Sequence, residues 1–395
     1  YDPFVGYANP ANPLVPMAGY AVNFGALKTP ITIDMTGIVN NSSYSATVTN
    51  HNNPWAMGLV LLGNPYPSPI DWASASGWTK THVDNALYYF KASAGDEWGG
   101  TYSSWVNGTS SDLVASNIIP SMQGFMVHVN TISPVDGVVG MDNSVRVVNM
   151  TQPFIKGAAV AGEKSLVRLS ASMASSSPTE DPLVIYFDEK ATGNFDSEFD
   201  ALKYFNTDWM VPNFFSFGND GSKLSINALP LPDGHIPTIP LGYKALVDGE
   251  VAFRLRNIEG PYSWGTIDLY DVETGESHDL SSGSEYKIFL PAGDYFDRFF
   301  LNFEGFATGS SGRETDYKPF LVYSFKGNVH AEINCLSGRE GTLTISNLTG
   351  QAVYNMKIYA NGSYEFDPAL KDGVYIVSFV SGKFRNSEKI FVKGR

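Results

Sequence analysis

Short apolar runs separated by turn residues form the hydrophobic pattern of residues 1–152. Runs such as 55–62 and 124–129 have the length of strands, and none repeats every 3.6 residues over the span that an amphipathic helix needs. Pro, Gly and Asn between the runs indicate turns. Residues 16–22 resemble residues 120–127, which predicts two similar β-units that pair. We therefore predict a β-rich module over residues 1–152.

The second segment, residues 153–305, alternates apolar and polar residues with the two-residue period of half-buried strands. Strands are predicted at residues 166–171, 183–187, 251–255 and 298–303. Gly-Asp, Asp-Gly and Pro-rich turns between them are typical of an antiparallel sandwich. One short helix is predicted from Phe199 to Asn206.

Residues 306–316, FATGSSGRETD, are small and polar, which predicts a flexible linker. The third segment, residues 317–395, again has the pattern of strands. They are predicted at residues 320–325, 341–346, 352–359, 374–380 and 389–393. A sandwich with an immunoglobulin-like fold is feasible at this size. The predicted fold class is all-β, with tandem antiparallel β-sandwich domains of which the last is immunoglobulin-like.

Composition supports the all-β interpretation, because 38 Gly, 23 Pro, 21 Tyr and 25 Phe favour turns and strands over helices. The single cysteine, Cys335, excludes an internal disulfide and a multi-cysteine metal site. Such a cysteine is more commonly a small buried side chain than a nucleophile.

Charge separates the third segment from the rest. Residues 317–395 carry ten basic and six acidic residues, a net of +4, whereas the remaining 16 basic and 34 acidic residues give residues 1–316 a net of −18. The overall charge of −14 argues against nucleic acid as a partner. No uninterrupted apolar stretch is long enough for a transmembrane helix, and residues 1–13 do not resemble a signal peptide. We expect the chain to be a processed form or a fragment.

Four motifs in the third segment occur in a characteristic order. They are VYS at 322–324, ISNLTGQAV at 345–353, DGVYIV at 372–377 and SEKIFVK at 387–393. Gly350 and Gly373 are predicted to adopt positive φ in tight turns. The strand 389–393 has Lys at both ends, and its unpaired backbone is suited to β-augmentation by a receptor. A solvated edge strand protected from aggregation by Lys is the alternative.

In order and spacing these motifs resemble the type A C-terminal sorting domain of type 9 secretion (Por secretion) cargo from Bacteroidota. The resemblance implies partners, namely the type 9 translocon with its outer-membrane shuttle protein, a sortase-like peptidase and a lipopolysaccharide anchor. It implies a location at the cell surface or outside the cell, reached through the periplasm and outer membrane. It also implies that the export signal contains Gly350, Gln351, Gly373, Tyr375, Gly382, Lys389, Ile390, Val392 and Lys393.

The first two segments resemble β-modules that precede such sorting domains in large surface proteins. The residues that carry this resemblance are GNPYPSPIDW at 63–72, IPSMQGF at 119–125, DSEFDALK at 196–203 and DRF at 297–299. No chemistry is implied by it.

Motifs of zinc proteases, serine hydrolases, P-loop proteins and dinucleotide-binding proteins are missing from the sequence, and its six histidines are dispersed. We therefore predict a non-catalytic chain without a cofactor. Two weaker alternatives stay open. Asp71, Asp196 and Asp200 are candidates for sugar cleavage by paired carboxylates, and Asp196, Glu198 and Asp200 are candidates for a Ca²⁺ site that lacks EF-hand spacing. An Asp that caps its own turn is commoner than either.

Five tryptophans fall between residues 55 and 105, and exposed aromatic rings stack on sugars. Trp72, Trp78, Trp98 and Trp105 are the candidates for glycan contact, with core packing as the commoner role. The leading functional hypothesis is an adhesin-like surface region with a sorting domain. The alternative is an accessory glycan-binding region of a secreted hydrolase whose catalytic domain lies upstream.

Overall fold

The computed structural model describes residues 13–22, 36–93, 99–147, 164–173, 179–232, 236, 238–260, 265–304, 320–325, 328–333, 336, 340–359, 361–382 and 384–392. They form 28 strands and one short 3-10 helix, so the all-β prediction is confirmed. No helix in this part of the chain is long and apolar enough to span a membrane. The predicted linker 306–316, Cys335 and Lys393 lie outside the described residues.

The chain divides into two compact units. The first unit comprises residues 1–161, 197–201 and 205–208, and the second comprises residues 162–196, 202–204 and 209–395. Most of the predicted segment 153–305 thus falls in the same compact unit as segment 317–395, while their boundaries as separate domains stay a prediction.

The first unit contains ten strands and the 3-10 helix. The strands are β1 (Tyr44–Val48), β2 (Leu59–Gly63), β3 (Ile70–Asp71), β4 (Trp78–Thr81), β5 (Val83–Ala92), β6 (Gly100–Val106), β7 (Thr109–Ser110), β8 (Ile118–Ile119), β9 (Gly124–Val129) and β10 (Gly137–Met141), and the helix is Asn143–Val145. They form an antiparallel sheet in the order β2-β9-β5-β6-β7, a second in the order β1-β10-β4, and the pair β3-β8. Buried side chains of both larger sheets share one core.

The two similar segments, residues 16–22 and 120–127, contact opposite edges of strand β2. Ala18 bridges Leu62 on one side, and Phe125 of β9 pairs with Leu62 on the other. Both repeats have a methionine at positive φ just before the contact, 68° at Met17 and 62° at Met122. In the described residues the two segments pair with β2 and not with each other, because β2 lies between them.

The larger sheet of the second unit has eleven strands. They are β11 (Leu166–Met173), β12 (Asp181–Phe187), β13 (Ala201–Leu202), β14 (Asn213–Phe217), β15 (Lys223–Leu229), β16 (Ile239–Ala245), β17 (Gly249–Glu259), β18 (Thr266–Asp271), β19 (Glu276–Asp279), β20 (Tyr286–Leu290) and β21 (Gly293–Glu304). Their order is β19-β18-β21-β16-β14-β15-β12-β11-β17-β20, with β13 pairing β15. Strands β12 and β15 are parallel, whereas the other neighbours in this order pair antiparallel.

This sheet curls around its own core, as long twisted sheets do. Leu269 of β18, near one end of the strand order, and Leu290 of β20, at the other, belong to the same buried cluster. The helix predicted from Phe199 to Asn206 is wrong. Residues Ala201–Leu202 form β13 instead, and the Lys203 N–H donates to the Lys223 carbonyl at 2.8 Å, so pairing with the sheet prevails over local propensity.

A buried ion pair stabilises the same unit. Arg298 donates through Nε and Nη2 to the two carboxylate oxygens of Asp271, at 2.8 and 2.7 Å. The Tyr286 hydroxyl and the Glu273 N–H donate to this carboxylate as well, both at 2.9 Å. Arg298, in the DRF motif, therefore has a structural role.

The remaining seven strands of the second unit form a small sandwich. They are β22 (Phe320–Phe325), β23 (Asn328–Ile333), β24 (Gly341–Asn347), β25 (Ala352–Ile358), β26 (Gly362–Phe366), β27 (Gly373–Ser381) and β28 (Phe384–Val392). The sheets have the orders β22-β23-β26 and β25-β24-β27-β28. Five of these strands were predicted from the sequence, whereas β23 and β26 were not.

Two antiparallel sheets of three and four strands are consistent with the predicted immunoglobulin-like sandwich. The fourth strand, β25, pairs with the third strand, β24, whereas in the immunoglobulin constant arrangement it pairs in the other sheet. The core of this sandwich also contains Phe300 of β21, whose ring centroid lies 6.2 Å from that of Phe384.

Candidate functional site

The outward face of the four-stranded sheet β25-β24-β27-β28 brings together part of the predicted export signal. Lys389 pairs with Ile376, and Phe391 pairs with Val374, across β27 and β28. Residues directly opposite each other on antiparallel strands share one face of the sheet. Phe391 is 62% exposed, so this face presents an aromatic ring next to a lysine.

Strand β28 alternates between this outward face and the core. Ile390 and Val392 are buried and belong to the core of the sandwich, whereas Lys389 and Phe391 are exposed. The side chains of Ile390 and Val392 therefore help to close the core, and the membership of these residues in the export signal stays a prediction.

The edge of β28 is less open than the sequence predicted. Strand β28 pairs with β27 on one side and with no other strand of the described residues. Strand β22 of the facing sheet nevertheless runs beside it without pairing. The outward side chains are thus more accessible to a partner than the backbone edge.

Gly350 closes the turn between β24 and β25, as predicted. Its φ is +83°, and its N–H donates to the Asn347 carbonyl at 2.9 Å. The side chain of Asn347 organises the same turn, because its Oδ1 accepts the N–H groups of Thr349 and Gln351 at 3.1 and 3.0 Å. Gly350 and Gln351 therefore belong to a hairpin turn whose conformation is fixed locally.

The other residues of the predicted export signal occupy different positions. Gly373 begins β27 opposite Val392 and is not among the residues with positive φ, so its predicted turn role is wrong. Tyr375 packs against the core and its hydroxyl donates to the Lys371 carbonyl at 3.1 Å. Gly382 lies between β27 and β28 with φ +58°, and an added Cβ would overlap the carboxylate of Asp297.

The tryptophans of the first unit are mostly packed inside it. Trp72 and Trp105 are buried, with 1% and 6% of their surface exposed, so the prediction that they contact glycan is wrong. Trp78 is half-buried, packs edge-on against Trp72 at 4.7 Å, and donates through Nε1 to the Asp71 carbonyl at 2.7 Å. Trp98 lies outside the described residues. Trp55, in contrast, is 91% exposed.

The side chain of Lys80 packs over the rings of Trp72 and Trp78. Its Nζ lies 3.7 Å from the ring centroid of Trp72 and donates to the Trp72 carbonyl at 3.1 Å. Burial lowers the pKa of Lys80 to about 8, although the charges of Glu198 and Asp71 act in the opposite direction. The Trp72–Trp78 surface is therefore occupied by the protein's own side chain.

Hydrogen bonds or burial within the protein account for three of the carboxylates predicted to bind Ca²⁺ or cleave sugars. Asp196 accepts the Thr192 N–H at 2.5 Å, and Asp200 is fully buried. Asp71 accepts the Ala73 N–H and the Asn117 side-chain amide, at 2.8 and 2.7 Å. In the described part of the chain no three His, Cys, Asp or Glu residues are grouped so that they could hold a metal ion. The prediction of a Ca²⁺ site at Asp196, Glu198 and Asp200 therefore gains no support from this part of the chain.

A pair that sequence analysis missed is His128 with Asp84. Nδ1 of His128 contacts the buried Asp84 carboxylate, and the Asn130 side-chain amide donates to the other oxygen at 2.8 Å. His128 lies in β9 and Asn130 directly follows it, and the two-residue spacing of these polar side chains was the available signal. A Cβ on Gly58 would lie 2.9 Å from Nε2 of His128. The backbone at Gly58 thus packs closely against the His128 ring.

Comparison with known proteins gives one clear match. Residues 5–303 match a family model described as a domain of unknown function, DUF8693. The chain belongs to the DUF8693 family. A comparison with curated proteins finds no match. Among solved structures, a biofilm-associated protein BSP domain matches with 12% identity over 91% of this chain and 68% of that chain. Its TM-score of 0.16 is too low to carry an argument.

The DUF8693 match spans most of the first unit and the larger sheet of the second. It ends at residue 303, in β21, so the seven-stranded sandwich lies outside it. The DUF8693 match therefore covers most of the first two segments predicted from the sequence and none of the third.

Proposed function

We propose that this chain is a non-catalytic region of an exported, adhesin-like surface protein, and that its C-terminal sandwich carries the signal for type 9 secretion. The DUF8693 part is the cargo in this proposal. The translocon with its outer-membrane shuttle protein reads the sandwich, and a sortase-like peptidase then attaches the cargo to lipopolysaccharide at the cell surface.

The observation that carries the proposal is the placement of the last motif. Lys389 and Phe391 alternate with two core residues on β28, so they point outward from a strand at the sheet edge. Phe391 is not an isolated exposed apolar residue, because Val374 and Ile376 lie on the same face of the neighbouring strand. A partner that covers the row of Val374, Ile376 and Phe391 would remove apolar area from water, and Lys389 would give the contact its charge.

The turn residues support the same proposal in a different way. Gly350 and Gly382 hold two hairpins of the four-stranded sheet in conformations that glycine adopts readily. We infer that these parts of the motif preserve the shape of the sheet, while Lys389 and Phe391 are the part that a partner contacts.

The alternative, a glycan-binding accessory region, loses its main support because Trp72 and Trp105 are buried. Trp55 alone does not form the platform of several rings that this alternative predicted.

A secretion assay tests the proposal with the whole chain behind a signal peptide in a type 9-competent host. Phe391→Ser and Lys389→Ala change the outward face without removing core atoms. Phe289→Ser is the matched control, because Phe289 of β20 is 65% exposed and lies in the DUF8693 part. Truncation after Gly382 is less informative, since it also removes Ile390 and Val392 from the core.

We expect the wild-type chain and Phe289→Ser to reach the cell surface or the medium, and Phe391→Ser and Lys389→Ala to accumulate in the periplasm. Equal thermal unfolding of the purified variants would show that the fold is intact. Equal export of all four chains would contradict the outward face of β28 as the signal. Periplasmic retention of the wild-type chain would contradict type 9 export altogether.

A further inference from the structure

A buried lysine and a buried aspartate lie in direct contact in the second unit. Nζ of Lys203 is 2.6 Å from Oδ1 and 2.5 Å from Oδ2 of Asp181. The Lys203 side chain is 2% exposed and that of Asp181 is fully buried. The amine nitrogen is therefore held against the carboxyl group, away from bulk water.

Burial makes the charges of this pair costly to maintain. The aromatic core residue Phe214 lies beside it. Burial lowers the pKa of Lys203, while the charge and hydrogen bond of Asp181 oppose this. Two isolated charges are expensive to bury, and transfer of one proton from the ammonium to the carboxylate gives a neutral amine and a carboxylic acid.

The backbone around the pair restricts both partners. Asp181 pairs with Ala171 at the start of β12, and the N–H of Lys203 donates to the Lys223 carbonyl at 2.8 Å. Reacting groups held in contact by a rigid frame behave as if at very high concentration. The N–H of Phe214 donates to Oδ2 of Asp181 at 2.6 Å, where it would stabilise negative charge that develops during attack on Cγ.

We propose that Lys203 and Asp181 form an intramolecular isopeptide bond. After the proton transfer, the neutral Nζ attacks Cγ of the protonated carboxyl group and forms a tetrahedral intermediate. Oδ2 carries the developing charge next to the Phe214 N–H. The bond from Cγ to Oδ1 then breaks, Oδ1 leaves as water with protons from the carboxyl group and the amine, and Nζ–Cγ remains as an amide. No oxidant or reductant is needed.

The bond would join β12 directly to the segment that follows β13. It replaces an expensive buried ion pair by a neutral amide and closes the loop between residues 181 and 203 covalently. A closed loop restricts the unfolded chain, as a disulfide does, and a chain with one cysteine has no internal disulfide for this purpose.

Intact mass spectrometry of the full-length protein, purified folded and measured after denaturation, tests the proposal. We expect the main species to be lighter than its sequence by the mass of one water molecule. Lys203→Arg keeps a positive charge but cannot form this amide, so it should have its full sequence mass. The wild-type measurement decides the question even if this variant fails to fold.

Peptide mapping locates the missing water. Trypsin should fail to cleave after Lys203, and residues 169–190 should be recovered linked to residues 191–223. The pair Lys244 and Asp294 is an internal control, because it has the same 2.6 Å contact at an exposed position and should give no linked peptide.

Acid cleavage gives a second readout, because hydrolysis of an Asp-Pro bond uses the free carboxyl group of the aspartate. The Asp181-Pro182 bond should resist acid, whereas Asp367-Pro368 in the same chain should break. Full sequence mass, with residues 191–203 and 204–223 recovered as separate peptides, would overturn the proposal and leave an ordinary ion pair. Loss of water without a linked peptide would overturn it as well, because the dehydration would then lie elsewhere.

Discussion

Removal of the Asp271 carboxylate should destabilise the second unit strongly. In Asp271→Ala, the buried guanidinium of Arg298 loses both of its hydrogen bonds to this carboxylate, and the Tyr286 hydroxyl loses its acceptor. Breaking a buried ion pair from one side costs about 3–5 kcal/mol. We expect a value near 3 kcal/mol, because Arg298 keeps its contact with Glu273 through Nη1 at 2.5 Å.

The assay is differential scanning calorimetry of the full chain. For a unit of this size each kcal/mol lowers the Tm by about 2–4 °C, so the transition of the second unit should fall by about 6–12 °C. The control is Asp294→Ala, which breaks the partly exposed pair with Lys244 and should cost about 1 kcal/mol or less. Equal losses in both variants would refute the reasoning, because burial would then not decide the value of the pair.

The pH dependence of this effect has a definite sign. Burial alone would raise the pKa of Asp271, but the hydrogen bonds from Arg298, the Glu273 N–H and Tyr286 outweigh burial, and the net shift is downward. A carboxylate whose pKa is lower in the folded state stabilises the fold above its unfolded pKa of about 3.9 and loses that contribution as the pH falls through the folded value. The difference in Tm between wild type and Asp271→Ala should therefore be full at pH 7 and narrow below about pH 4.

Three further predictions concern local features. Gly350→Ala should destabilise the small sandwich by about 1 kcal/mol, because φ of +83° is unfavourable for alanine, and chemical denaturation that gave no loss would contradict the turn. Iodide should quench the fluorescence of the exposed Trp55 but not that of the buried Trp72. The Trp55→Phe chain should therefore show less iodide quenching than the wild-type chain. Equal quenching of the two chains would contradict the burial pattern. Lys80 should lose its proton near pH 8 in an NMR titration of lysine side chains, and its signal should disappear in Lys80→Met; titration of all lysines in the ordinary range would contradict its burial.

Much of the fold was predictable because strand signals are local. Apolar runs and alternating patterns identified β22, β24, β25 and β27 within two residues of their bounds. The pattern also predicted the positive φ of Gly350, because a glycine between two such strands has few other roles.

The missed strands show where local patterns fail. Strand β23 contains His330 and Glu332 between apolar residues, and β26 is a short segment of Gly, Ser, Tyr, Glu and Phe. Neither has a strong pattern, and both exist because each pairs with a neighbour distant in sequence, as in the contact of Ile333 with Gly362. The helix predicted near Ala201 was wrong for the same reason, since β15 supplied a partner.

By itself, the sequence determined that the chain is all-β, that its charge changes at the third segment, and where most tight turns lie, since residue type and spacing decide these features. Tertiary structure alone decided which chemical groups meet. It buried Trp72 and Trp105, turned Ile390 inward and Phe391 outward, and brought Lys203 to Asp181 across 22 positions. Such contacts depend on which strands become neighbours, and strand order is set by packing of the whole core and not by any local run of residues.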